Sequence, residues 1–253
     1  MISQKIVDQW KKDEKAFFEG WDFSYLKSRY KLANPSWNYK TLAKRLIKKS
    51  CSVLDIATGG GEVFSEILSI YKPQKIIAIE GYKPNITVAR KNLKKFKATV
   101  IYANETKKFH FKDSEFDLIL NRHGGLNKKS IKELYRILSP KGIFLTQQVD
   151  GNSLKDLEKV FNAKPKWPEN NMQNIKKFCT NTGFKIKEAK EWEGKTIFKD
   201  VGAVIYFLKA IPWIVSGFSV NRYLKVLEKL QKRIEKKGEL NFKSKFFLIL
   251  AQK

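Results

Sequence analysis

The sequence predicts an α/β fold, doubly wound around a mostly parallel seven-stranded sheet, with helical covers on its N-terminal and C-terminal sides. Three observations carry that expectation. Between residues 51 and 149, short apolar runs alternate with amphipathic stretches, the pattern of a parallel sheet covered by helices on both faces. A loop of small residues, Ala57 to Gly61, joins the first apolar run to the first helix of the series. The chain has 253 residues, of which 42% are apolar and 13% aromatic, enough for a substantial core and too much for a disordered or fibrous protein.

Taken in order, the chain opens with an aromatic segment, residues 1–35, read as a helical cover. The core, residues 36–150, starts with a helix whose apolar face is Trp37, Leu42, Ala43, Leu46 and Ile47. Strands follow at 51–57, 75–80, 98–103, 116–121 and 142–149, each a β-branched or aromatic run bounded by polar or turn residues. Helices begin near Glu62, Pro84 and Lys128, and the SPKG stretch at 139–142 reads as a helix stop and turn. Residues 151–253 belong to the same domain and supply the last two strands, 184–192 and 243–253, with helical cover between them. The final strand is expected to close the sheet as an antiparallel member.

Lysine and arginine outnumber aspartate and glutamate by 51 to 25, a net charge of +26. Such an excess favours anionic partners, RNA among them. The surplus is spread over the whole length, however, and is nearly all lysine, whereas dedicated phosphate and base readers favour the arginine fork. Two cysteines, Cys51 and Cys179, make neither a disulfide framework nor a four-cysteine zinc site, and no metal-ligand cluster is apparent. No apolar run follows the first charges, so the start does not read as a signal peptide, and a cytoplasmic location is expected. Residues 201–220 have the length of a membrane span, but Lys209 and Pro212 interrupt them. They are read as a buried or lid helix broken at Pro212, without stable membrane insertion.

The chemistry is concentrated in VLDIATGGGEVFSEIL at 53–68. A strand ends in Asp55, and Ala57, Thr58, Gly59, Gly60 and Gly61 lead into a helix whose first amides are free. An acid inside the strand and this glycine spacing do not fit a dinucleotide loop of the G-x-G-x-x-G kind. The segment resembles the first motif of class I S-adenosylmethionine-dependent methyltransferases, roughly [D/E]-x-G-x-G-x-G, matched by Asp55, Ala57, Gly59 and Gly61. Alanine stands at the first glycine position, a change the loop tolerates if the φ there is negative. The resemblance continues through Glu80 and Gly81 at the end of the second strand, Glu105 after the third, Phe116-Asp117 opening the fourth, and ELYRILSPKGIFLTQQV at 133–149. It implies a Rossmann-like methyltransferase fold that binds S-adenosylmethionine and releases S-adenosylhomocysteine. It further implies Glu80 on the ribose hydroxyls, Glu105 beside the adenine amino group, and Asn121 beneath the cofactor where the fourth strand ends.

Candidates for the methyl acceptor lie at the carboxyl ends of the strands, where ligands of open α/β sheets sit. They are Arg122 and His123 after the fourth strand, Gln147 and Gln148 at the end of the fifth, and Trp21 in the aromatic N-terminal segment. Arg122 suits an anionic group. His123 is read either as a general base or as a side chain that only shapes its loop; His110, flanked by phenylalanines, is read as structural. No N-P-P-Y sequence follows the fourth strand, and neither cysteine stands at a strand end suited to attack a pyrimidine. The expected activity is methyl transfer to a small molecule, with RNA as the alternative acceptor and a non-catalytic cofactor-binding protein as the third reading.

Overall fold

The computed structural model describes residues 2–18, 22–103 and 109–253. Among them, eight strands form one sheet: β1 (Tyr30–Leu32), β2 (Ser52–Ile56), β3 (Lys75–Glu80), β4 (Thr99–Tyr102), β5 (Phe116–Arg122), β6 (Leu138–Val149), β7 (Lys185–Phe198) and β8 (Leu240–Gln252). Nine α-helices accompany them: α1 (Gln4–Lys15), α2 (Tyr39–Ile47), α3 (Glu62–Leu68), α4 (Lys83–Leu93), α5 (Lys128–Ile137), α6 (Lys155–Val160), α7 (Met172–Thr182), α8 (Val201–Ala210) and α9 (Leu224–Lys237). The strand order is β1-β7-β8-β6-β5-β2-β3-β4. Strands β2 to β6 pair in parallel, and β8 runs antiparallel to β6, as the long excursion before it suggested.

All seven expected strands are present, and an eighth is added. Strand β1 pairs antiparallel with the end of β7 through Tyr30↔Phe198, Lys31↔Ile197 and Leu32↔Thr196. It lies in the segment read as purely helical; three residues are too few to show a period of two. Strand β6 also starts earlier than expected. The SPKG stretch lies within it, with Lys141 at φ 65° and a register shift opposite Phe116–Leu118.

Residues divide into two compact units. One comprises 36–150, 169–192 and 246–253. Its core is built from strands buried on both faces, which is why they read as continuous apolar runs: Val53, Leu54, Leu118, Ile119 and Leu120 have no exposed surface. Helix α5 shows how sequence sets an element here. Asn127 caps it by accepting from the amides of Lys129 and Ser130, Ser130 Oγ returns a bond to the Asn127 amide, and Ile131, Leu134 and Ile137 form the buried stripe.

The other unit comprises 1–35, 151–168 and 193–245. Its centre is α8, buried at every position except Lys209. The helix stops at Ala210 because Pro212 disfavours helical geometry at Ile211, and among the described residues no helix is long and apolar enough to cross a membrane. Asp200 caps α8 through the Ala203 amide at 2.8 Å and accepts both ends of the Arg29 fork at 2.8 and 2.7 Å. Arg29 also bonds the buried Asp13 at 3.0 Å, and Tyr25 donates to the same carboxylate at 2.9 Å. Gly202 is required by this network, since a Cβ there would lie 2.1 Å from Asp13 Oδ2. The N-terminal aromatics pack against this helix: the Tyr25 and Tyr206 rings stack at 4.6 Å, and those of Phe23 and Phe207 stand 5.8 Å apart.

Candidate cofactor and acceptor site

The parallel register brings the expected cofactor residues together at the carboxyl edge of the sheet. Asp55 stands level with Ala78 of β3 and Leu120 of β5, and Ile56 with Ile79 and Asn121. The loop then turns sharply. The Thr58 amide donates to Ile79 O and the Gly61 amide to Thr58 O, both at 3.0 Å, while Asn92 of α4 donates to Gly60 O at 2.9 Å. Gly61 starts α3 at φ 79°, in the left-handed region, and a Cβ there would press on Leu93 at 3.0 Å, so glycine serves both the turn and the approach of α4. Gly59 has φ 62° and open space where a side chain would be.

Ala57 departs from the sequence expectation. Its φ is +59°, so alanine occupies a left-handed conformation that glycine would adopt without strain. The register of β2 and the turn at Thr58 impose that conformation, and no one-dimensional pattern reveals it.

Glu80, at the end of β3, is 6% exposed and braces the loop. Its carboxylate accepts the Gly59 amide at 2.6 Å and the Tyr82 amide at 2.7 Å across the turn at Gly81. Asp55 is 7% exposed. Burial pushes its carboxyl up to about 7, with Glu80 adding to the rise while Thr58 and Arg122 oppose it. Two buried acids beside a glycine loop with open space at Gly59 fit a cationic, hydroxyl-bearing ligand such as S-adenosylmethionine. Glu105 and Trp21, both singled out in the sequence, lie outside the described residues.

Asn121 is fully buried and ties three strands. Its Nδ2 donates to Ile56 O at 3.2 Å, and its Oδ1 accepts from Thr146 Oγ1 at 2.9 Å and Gln148 Nε2 at 2.5 Å. Gln148 also donates to Thr146 Oγ1 at 2.7 Å. Neighbours on a strand point to opposite faces, so Gln148 joins the Asn121 network while Gln147 faces elsewhere. The loop after β5 abuts the glycine loop at Gly124, where a Cβ would fall 2.5 Å from both Ala57 Cβ and Asn121 Nδ2.

On the other face, Gln147 meets Trp37 and His123. Trp37 Nε1 donates to Gln147 Oε1 at 2.8 Å, and Gln147 Nε2 stands 3.1 Å from His123 Nε2. His123 has φ 64°, its amide donates to Gln147 O at 2.8 Å, and its ring lies 5.7 Å from that of Phe246. The residue as a whole is exposed, while the protein packed around its ring disfavours a charge there. That and the neighbouring Arg122 push its imidazole down to about 3. Arg122 is half-buried, which holds its guanidinium below the usual range, while Tyr39 and Asp55 pull the other way. Its guanidinium makes no ion pair or side-chain hydrogen bond to a described residue. Trp37 and Tyr39 had no signal in the sequence beyond helix packing, although Tyr39 is buried and senses both Asp55 and Arg122. His110, by contrast, is exposed.

Residues 47–206 match the methyltransferase domain family, more than half of the chain. The chain belongs to that family. It is a class I S-adenosylmethionine-dependent methyltransferase domain. Among curated proteins, an uncharacterized methyltransferase-like protein of Schizosaccharomyces pombe is 30% identical over 100 residues, 38% of each chain. The aligned stretch thus spans little more than a third of that relative. Among solved structures, a candidate methyltransferase from Bacillus halodurans C-125 superposes with a TM-score of 0.58 at 15% identity, covering 84% of this chain and 98% of that one. Phosphoethanolamine N-methyltransferase 2 of Haemonchus contortus, solved with S-adenosyl-L-methionine, gives 0.55 at 15% identity, covering 99% of this methyltransferase and 57% of its own chain. At these identities the likeness is one of fold.

Proposed function

We propose that the protein transfers a methyl group from S-adenosylmethionine to a small molecule carrying an anionic or hydrogen-bond-accepting group. The observation that carries the reading is Arg122. It is a half-buried guanidinium without an ion-pair partner among the described residues, in register with Gln147 and one residue from His123. An arginine fork in that setting suits a carboxylate or similar anion. Glu80, with Glu105, would hold the ribose and adenine ends of the cofactor, and the Ala57–Gly61 backbone would pass close beneath its amino-acid part. The bound cofactor supplies a methyl on sulfonium, an electrophile that needs little activation. Arg122, His123 and Gln147 would orient an acceptor lone pair toward that methyl, and a proton given up by the acceptor would pass to solvent water. Positioning by Arg122, His123 and Gln147 supplies the rate.

The net charge of +26 supports RNA as a second reading. Part of that charge is already engaged, since Lys40, Lys44, Lys75, Lys199, Lys243 and Lys245 pair with glutamates. Incubation with tritiated-methyl cofactor and separated RNA, protein and metabolite fractions distinguishes the two. Label in the metabolite fraction, with little dependence on salt, supports the proposal. Label in RNA, lost steeply as salt rises, overturns it.

A further inference from the structure

The contacts of Gln147 fix the proton of His123. An indole N–H can only donate, so the Gln147 atom facing Trp37 Nε1 at 2.8 Å is the amide oxygen. The other end of the amide, which can only donate, then faces His123 Nε2 at 3.1 Å. His123 Nε2 must accept that bond with its lone pair, which leaves the ring's single proton on Nδ1. An imidazolium would set N–H against N–H. The relay is stiff at both ends. Trp37 is 8% exposed, and the His123 amide donates to Gln147 O at 2.8 Å, so one residue holds both the backbone and the ring. Phe246, itself against Trp192 at 5.7 Å, backs the ring. The charged group acting on it is Arg122 from β5, of the sign that opposes protonation. His123 Nδ1 makes no hydrogen bond to a described residue, and the residue as a whole is exposed.

We infer that Trp37 and Gln147 are positioning residues that lock His123 as the neutral, Nδ1-protonated tautomer, so that it donates a hydrogen bond to an oxygen of the acceptor rather than taking its proton. This favours acceptors with a carboxylate, carbonyl or phosphate oxygen, which Arg122 and the Nδ1–H hold together. The assignment to the acceptor rests on the proposed methyltransferase activity; the tautomer does not.

Long-range proton–nitrogen spectra of ¹⁵N-histidine protein test it without turnover. The chain holds two histidines, so a His110→Gln variant assigns the signals. His123 is expected to show the Nδ1–H neutral pattern, unchanged from about pH 8 to about pH 5, where an ordinary histidine becomes protonated. Gln147→Glu keeps an acceptor for Trp37 but presents a carboxylate to the ring. It should move the proton to Nε2 and bring protonation into that range. Trp37→Phe, which releases the amide to flip, should give a mixture of tautomers. A wild-type ring carrying its proton on Nε2, or titrating near its ordinary value of about 6.5, overturns the inference. Once an acceptor is identified, His123→Asn, which retains a donor, should exceed His123→Leu in turnover by about tenfold, the worth of one hydrogen bond to a charged group. Equal loss in both variants with an intact tautomer overturns the donor role, and absence of methyl transfer by wild type sinks the activity while leaving the tautomer standing.

Discussion

Lowering the pH from about 8 to about 6 should weaken S-adenosylmethionine binding roughly tenfold, through Asp55 alone. The carboxyl sits at the end of β2 with 7% of its surface exposed, and burial together with Glu80 raises it to about 7. Near neutral pH it is therefore about half protonated. A ligand carrying a sulfonium and an ammonium favours the ionised form, so binding releases a proton wherever the free protein holds one. The ionised fraction is about nine-tenths at pH 8 and about one-tenth at pH 6, which is about 1.4 kcal/mol of affinity. Stability runs the other way. Because the folded value lies above the ordinary value of 3.8, this group's contribution is fully present below that value and is lost as pH rises through 7. Calorimetry at three pH values, each in two buffers of different ionisation enthalpy, reads affinity and proton release together. Asp55→Asn should abolish both the slope and the release. A wild-type affinity that is flat over this range, or a slope that survives in Asp55→Asn, refutes the reasoning.

Three substitutions test packing inside each unit taken by itself. Ala57→Gly relieves the left-handed alanine at φ +59° and should raise stability by up to about 1 kcal/mol, the relief being offset in part by glycine's freedom in the unfolded chain; a lower melting temperature would contradict it. Gly124→Ala forces a methyl against Ala57 Cβ and Asn121 Nδ2 and should cost about 1–3 kcal/mol in denaturant titrations, where an unchanged midpoint would count against the close approach. Arg29→Ala leaves Asp13, 1% exposed, without its counter-charge and should cost roughly 3 kcal/mol, the low end for a broken buried pair because Arg29 retains 30% exposure. A loss under about 0.5 kcal/mol would assign the network to the surface class.

The central parallel strands were legible because burial on both faces writes them as unbroken apolar runs, and the cofactor loop because tight turns and buried acids need particular residue types. Strand β1 escaped notice because its three residues gain their pairing from β7, far away in the chain. The sign of φ at Ala57 depends on how the loop leaves β2. Trp37 looks like any helix-face aromatic until Gln147 is brought across the sheet edge, 110 positions later. The opposite facing of Gln147 and Gln148 follows from strand geometry alone, but the hydrogen bonds that separate their tasks come from Asn121 and Trp37, on other elements.

Equilibrium binding of S-adenosylmethionine and S-adenosylhomocysteine to folded wild type and to Glu80→Ala tests the central claim most directly. Glu80 braces the glycine loop through the Gly59 and Tyr82 amides, and in the proposed reading it also meets the ribose. Wild type should bind both molecules, and the variant, with its circular dichroism unchanged, should bind them more weakly by about 1.5–3 kcal/mol. A folded wild-type protein that takes up neither molecule contradicts the account.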